Sequence, residues 1–253
     1  NLGFALSTTS SKCIYESDVR FNKAVDFTHS DSIGEPVTFF GKNYVVGAST
    51  DSTHLALIED GLQIHLNSDD PVEEVEIDDE EYFVEIVSAS DTAATVKVRD
   101  DSGASETKEV SEWRSKQING LIISVESADE TNLRLAASLI VGSNKMILED
   151  GSSVTSGISD NVVRGTLVEI DGGVNSMTKL SVCVVAPSSD KDAIVEGESF
   201  VDPVFGTFGV DFVGLNGNER DDIEIYHTSD SKMEVRLRDN NGRYVEFGFA
   251  TSN

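Results

Sequence analysis

The chain has 253 residues, of which 46 are Asp or Glu and 19 are Lys or Arg, a formal net charge of −27. That imbalance repels phosphate backbones and anionic membranes and attracts cations, salt or oppositely charged partners, so nucleic-acid binding is set aside. The 38% apolar content supports one large or two modest cores rather than disorder, and no apolar run approaches the roughly 20 residues of a membrane helix.

Residues 1–11 carry no charge at all. They begin at Asn1 with no basic-then-apolar leader, as expected of a secreted protein that has already been trimmed. An uncharged, Pro-free, partly apolar segment suits addition to the sheet edge of a neighbouring subunit, with Leu2, Phe4 and Leu6 alternating into pockets. The alternative is a frayed end, or a strand docked in its own domain.

Short runs rich in β-branched and aromatic residues follow at 37–46, 55–58, 62–66, 75–77, 83–87, 95–98, 121–125, 133–141, 145–148, 167–170, 180–185, 210–213, 223–226, 233–237 and 244–249. Asp60-Gly61, Ser102-Gly103, Asp150-Gly151, Asp171-Gly172-Gly173 and Asn241-Gly242 offer the positive-φ positions that tight hairpins require. Only 111–117 and 188–193 read as helical, and both are too short to build a layer. The expected class is all-β, with two immunoglobulin-like β-sandwich domains. Polar, Pro-containing breaks near Asp69-Asp70-Pro71 and Pro187-Ser188-Ser189 place a central sandwich at 71–190, and a discontinuous one at 1–70 plus 191–253.

The densest acidic run is 73–81. Alternation turns Val75 and Ile77 inward and Glu74, Glu76 and Asp78 outward, with 78–81 forming the turn into 82–86. Glu74, Glu76, Asp78, Glu81 and Glu85 then stack like charges across a hairpin, a row that salt or a hard, oxygen-seeking cation such as Ca2+ would relieve. A solvated acidic face is the plainer reading.

Chemistry-bearing motifs are sparse. His29, His54, His65 and His227 lack metal-ligand spacing, and no nucleophile elbow, phosphate loop or dinucleotide fingerprint occurs. With 46 carboxylates some pair always stands at glycosidase separation, so abundance removes that signal. The single Trp, Trp113, is a poor basis for a sugar platform, and no enzyme is expected. Cys13 and Cys183 have no CxxC partner, which leaves open two packed thiols, or a disulfide within a chain or between neighbours.

Several stretches stand in collinear order, among them Phe39-Phe40-Gly41-Lys42-Asn43-Tyr44-Val45-Val46, Phe83-Val84-Glu85-Ile86-Val87-Ser88, Ile140-Val141-Gly142-Ser143-Asn144-Lys145 and Asp202-Pro203-Val204-Phe205-Gly206-Thr207-Phe208. Together they resemble archaeal surface-layer proteins of the methanogen-like type, in the forms predicted for small-genome archaeal lineages. The resemblance implies an extracellular β-sandwich protein that tiles with copies of itself at the cell surface. The short length, the acidic turn 78–81 and the two cysteines depart from the pattern and make a filament or tube an option beside a flat layer. The competing expectation is a monomeric cell-surface adhesion or carbohydrate- or protein-binding module, with 151–165 as its binding loop.

Overall fold

The computed structural model describes residues 3–214, 223–229, 232–238 and 243–251. Its described residues form strands and turns without an α-helix, as the all-β expectation requires. No helix among them is long and apolar enough to cross a membrane. Two compact units divide the chain, Asn1–Phe212 and Val213–Asn253.

The first unit is nested. Its outer half opens with β1 (Gly3–Ala5), β2 (Tyr15–Val25), β3 (Pro36–Phe39), β4 (Lys42–Val46) and β5 (His54–Glu59). The inner half is inserted next, as β6 (Leu62–Asn67), β7 (Val72–Ile77), β8 (Glu80–Ser90), β9 (Ala93–Asp100), β10 (Ser105–Ser111), β11 (Arg114–Ile118), β12 (Leu121–Thr131) and β13 (Arg134–Gly142). The outer half then resumes with β14 (Asn144–Glu149), β15 (Thr155–Ser156), β16 (Asn161–Val162), β17 (Thr166–Asp171) and β18 (Met177–Val184), followed by the short β19 (Ala193–Val195), β20 (Ser199–Val201) and β21 (Gly209–Asp211).

In the inner half, sheet β10-β9-β8-β7 and sheet β11-β12-β13-β6 share one sandwich-like core. Period-two alternation builds it: Ala94, Val96 and Val98 of β9 are buried, while Lys97 and Arg99 between them face outward. In the outer half, sheet β16-β15-β14-β5-β4-β3 and sheet β17-β18-β2 share a second core that runs from Phe27 through Leu57 and Leu180 to Phe205. Each half winds up and down and closes by pairing its last long strand with its first, β13 with β6 and β18 with β2. That closure is a meander, where an immunoglobulin-like domain would cross its sheets in a Greek key.

One two-stranded ribbon joins the halves. Glu59 pairs with Asn144 in the outer half and Leu62 with Val141 in the inner half, three residues further along each strand, so the register continues through the junction. At this waist Ser143 N–H donates to Glu59 O (3.1 Å). The inner half therefore spans about 62–142, inside the outer half. This corrects the expected division: 71–190 is not a separate sandwich, because β5 pairs with β14 and β6 with β13, and 213–253 belongs to neither half.

Local departures have local causes. The run 37–46 is two strands, because Phe40 (φ 51°) and Gly41 (φ 82°) make a tight turn in its middle. Residues 111–117 are not helical: Trp113 N–H donates to Val125 O (2.8 Å), and β11 pairs along β12, so cross-strand bonding overrides helix propensity. Residues 188–193 form only a single 3-10 turn at Ser189–Lys191. Strand β2 escaped the sequence reading because Ser17 interrupts the inward row of Tyr15, Val19 and Phe21.

Candidate functional site

The acidic hairpin β7–β8 turns on Asp78 and Asp79, both at positive φ (55° and 63°). Val75 and Ile77 are buried and Glu74 and Glu76 exposed, as alternation requires. Across the ladder Glu76 directly opposes Glu81, Glu74 opposes Phe83 and Val72 opposes Glu85. Strand β9 brings the cations: Lys97 Nζ is 3.1 Å from Glu85 Oε2, and the Arg99 guanidinium lies 4.1 Å from the centre of the Phe83 ring. Tyr82 donates to Glu80 Oε2 (2.8 Å), and this bond first, then burial, pushes its phenol up to about 12. Asp60, in the β5–β6 turn at the waist, is also raised, by burial first and then by the charges of Glu59 and Asp78.

Of the five carboxylates singled out by sequence, Glu74, Glu76, Glu81 and Glu85 thus line one face of the ladder and Asp78 sits in the turn; Glu85 is already paired to Lys97, and within this hairpin like charges are directly opposed only at Glu76 and Glu81. Among the described residues no three His, Cys, Asp or Glu side chains stand where they can share a metal ion.

The seam that closes the outer half carries the covalent feature. Cys13 and Cys183 form a disulfide within the chain across 170 residues, with Cα atoms 5.5 Å apart. Beside it Asp18 ties β2 to β18: its Oδ1 accepts from Ser181 Oγ (2.6 Å) and lies 3.1 Å from Lys179 Nζ, and its Oδ2 accepts from Arg20 Nε (2.9 Å). The Ser181 bond first, then Arg20 and Lys179, hold the Asp18 carboxyl down at about 2 against its partial desolvation.

The N-terminal strand is docked on its own chain, which corrects the expectation of a free donor strand. β1 pairs with β19, Phe4 opposite Ile194. Leu6 is buried with Ala186 and Ile194, and Ile14, Phe200, Val210 and Phe212 pack against them. Phe4 remains half exposed, and Leu2 lies outside the described residues. Apart from Ile14, the pocket for Leu6 is assembled from the segment between Ala186 and Phe212, at the other end of the unit's sequence, which the uncharged pattern of 1–11 cannot reveal.

Two polar features remain. Asp202 is buried, its Oδ1 accepting from Val204 N–H (2.8 Å), and the hydroxyls of Tyr15 and Tyr44 both lie within reach of its charge. Burial first, then the Asp202 carboxylate, pushes the Tyr15 phenol up. The rings of Phe40 and Phe205 stand 4.4 Å apart. At the far end of the inner half a cleft of about 570 Å³ is lined by Asn67, Asp69, Asp129, Asn132, Arg134 and neighbours. Two of the histidines hold polar contacts: His54 Nδ1 is 3.1 Å from Asp51, and His65 Nδ1 is 2.8 Å from Ser138 Oγ. The expected binding loop 151–165 is tied into the outer sheet through β15 and β16, and its Val154 is fully buried.

The second unit is a three-stranded sheet, β22 (Glu224–Ser229), β23 (Lys232–Arg238) and β24 (Tyr244–Thr251), in that spatial order. The expected hairpin pairs 232–238 with 244–251, and its turn at 239–242 lies outside the described residues. One face is ionic. Arg236 bridges Glu246 (2.6 Å) and Glu224 (3.3 Å) and lies over the Tyr226 ring, and Lys232 pairs with Glu234. The other face is apolar: Ile225, Val235 and Phe247 stand side by side in register, and Leu237 pairs with Val245 in the next row.

A scan against protein-family models found no match to this chain, and a search of curated proteins found none. Its functional reading rests on its own residues.

Proposed function

We propose that this chain is an extracellular structural subunit that assembles with copies of itself into a cell-surface layer, filament or tube, and is not an enzyme. The observation that carries the reading is the disulfide. Cys13–Cys183 clamps the seam where the first and last long strands of the outer half meet. Such bonds persist in oxidising, extracellular settings. A closed seam also suits a subunit that must hold its shape under lateral load, the two nested halves being the two sandwiches of such a subunit. The reading also draws on the resemblance to surface-layer proteins noted in the sequence.

At net −27, copies repel until cations or salt screen them. Divalent ions such as Ca2+ therefore promote assembly by screening acidic faces like Glu74, Glu76 and Glu81. Electron microscopy of purified protein tests the reading: ordered polymers in calcium are expected, and dispersed particles at high protein, salt and calcium concentration would defeat it. The second reading, a monomeric adhesion or carbohydrate-binding module, is favoured by the polar cleft around Asn67, Asp129 and Arg134. Its mark is a monomer that binds glycans and loses them on Arg134→Ala.

A further inference from the structure

Among the residues of the second unit whose burial is described, from Val213 to Gly248, none is buried. A segment of that size with one layer of sheet cannot bury enough apolar surface to be stable alone. Its ionic face is satisfied by the Arg236 and Lys232 pairs, but its apolar face is open, with Ile225 60%, Phe247 48% and Val245 42% exposed and Ile223 beside them at 65%.

Resting on the self-assembly reading, we infer that this face docks against the same face of a second copy, so that two three-stranded sheets become the two layers of one six-stranded sandwich. Three observations select a second copy as the occupant. The row Ile225–Val235–Phe247 carries no charge and is centred on the middle strand, so a twofold axis through Val235 sets apolar side chains against apolar side chains and buries no ion. The unit is also where copies repel least, since it holds eight acidic and five basic residues, an excess of three out of the chain's net −27. Finally, covering the face on both copies removes on the order of 1,000 Å² from water, the size at which a specific interface begins.

Sedimentation of the full chain in chelator and about 0.15 M NaCl, where the Debye length falls to about 8 Å, tests the contact over a wide concentration range. The wild type should double in mass as concentration rises. Phe247→Lys and Ile225→Lys should remain monomeric, while Leu133→Lys, at an exposed apolar position of the first unit, should behave as wild type. A wild type that stays monomeric, or lysine variants that associate like it, overturns the contact. Amide exchange guards against variants that simply melt the sheet: wild-type protection in β22–β24 should rise with protein concentration, and protection that does not change overturns the inference. The two readings fail separately. Lysine variants that still form normal polymers remove this contact and leave self-assembly standing, whereas dimers that never polymerise keep the contact and remove the layer.

Discussion

Gly142 shows how one missing side chain holds the waist together. A Cβ there would lie 2.4 Å from Ile58 Cγ2 and 2.6 Å from the Glu59 carbonyl oxygen, where the two strands of the ribbon pass between the halves. Backbone cannot retreat as a side chain can, so Gly142→Ala should destabilise the chain by about 1–3 kcal/mol, read as a lower urea midpoint. Asp60 and Gly61 divide the labour differently from the sequence expectation. Asp60 takes the positive φ (50°), and Gly61 is needed because a Cβ would meet Val45 Cβ at 2.8 Å. Asp18 gives a pH signature. Its carboxyl pKa lies lower in the folded chain than the ordinary 3.8, so its contribution is complete above that value and is lost as pH falls through about 2. Asp18→Asn should accordingly lower the melting temperature at neutral pH, and the gap from wild type should close as pH approaches about 2.

At the scale of elements, the acidic hairpin and the seam make opposite demands. Glu76 faces Glu81 directly on neighbouring strands, an arrangement that costs stability until it is screened. Glu76→Lys turns it into an opposite-charge pair and should stabilise by about 0.2–1 kcal/mol at low salt, with the gain shrinking as salt is added. The alternation that predicted this face was legible because Val75 and Ile77 set its phase; the relief from Lys97 and Arg99 was not, because β9 reaches it only through the register with β8. The disulfide spans 170 residues, for which loop entropy sets its contribution at up to about 5 kcal/mol. Reductant should therefore open the outer half at lower urea, while amides of β8, β9 and β12 stay protected, since the inner core draws only on residues between Ile64 and Val141.

For the whole molecule, charge decides how copies meet. Because the carboxylates of the β7–β8 hairpin line a face, and no three of the described residues can share an ion, screening should be unspecific: Ca2+, Mg2+ and concentrated NaCl should each raise polymer yield in light scattering, and a response to Ca2+ alone would reveal a coordinating site. What the sequence by itself determined was the all-β class, the outward carboxylates of β7 and most turn positions, because alternation and turn chemistry act within a few residues. Alternation says which side of a strand is buried, and is silent about what covers it. Tertiary structure alone decided that β5 pairs with β14 and β6 with β13 in one register, that Leu6 docks beside Ile194, that Cys13 meets Cys183, and that 213–253 stands as its own unit. Those partners lie tens to nearly two hundred residues apart, and the choice among them is made only when apolar faces and backbone hydrogen bonds are satisfied together in a closed pair of sheets.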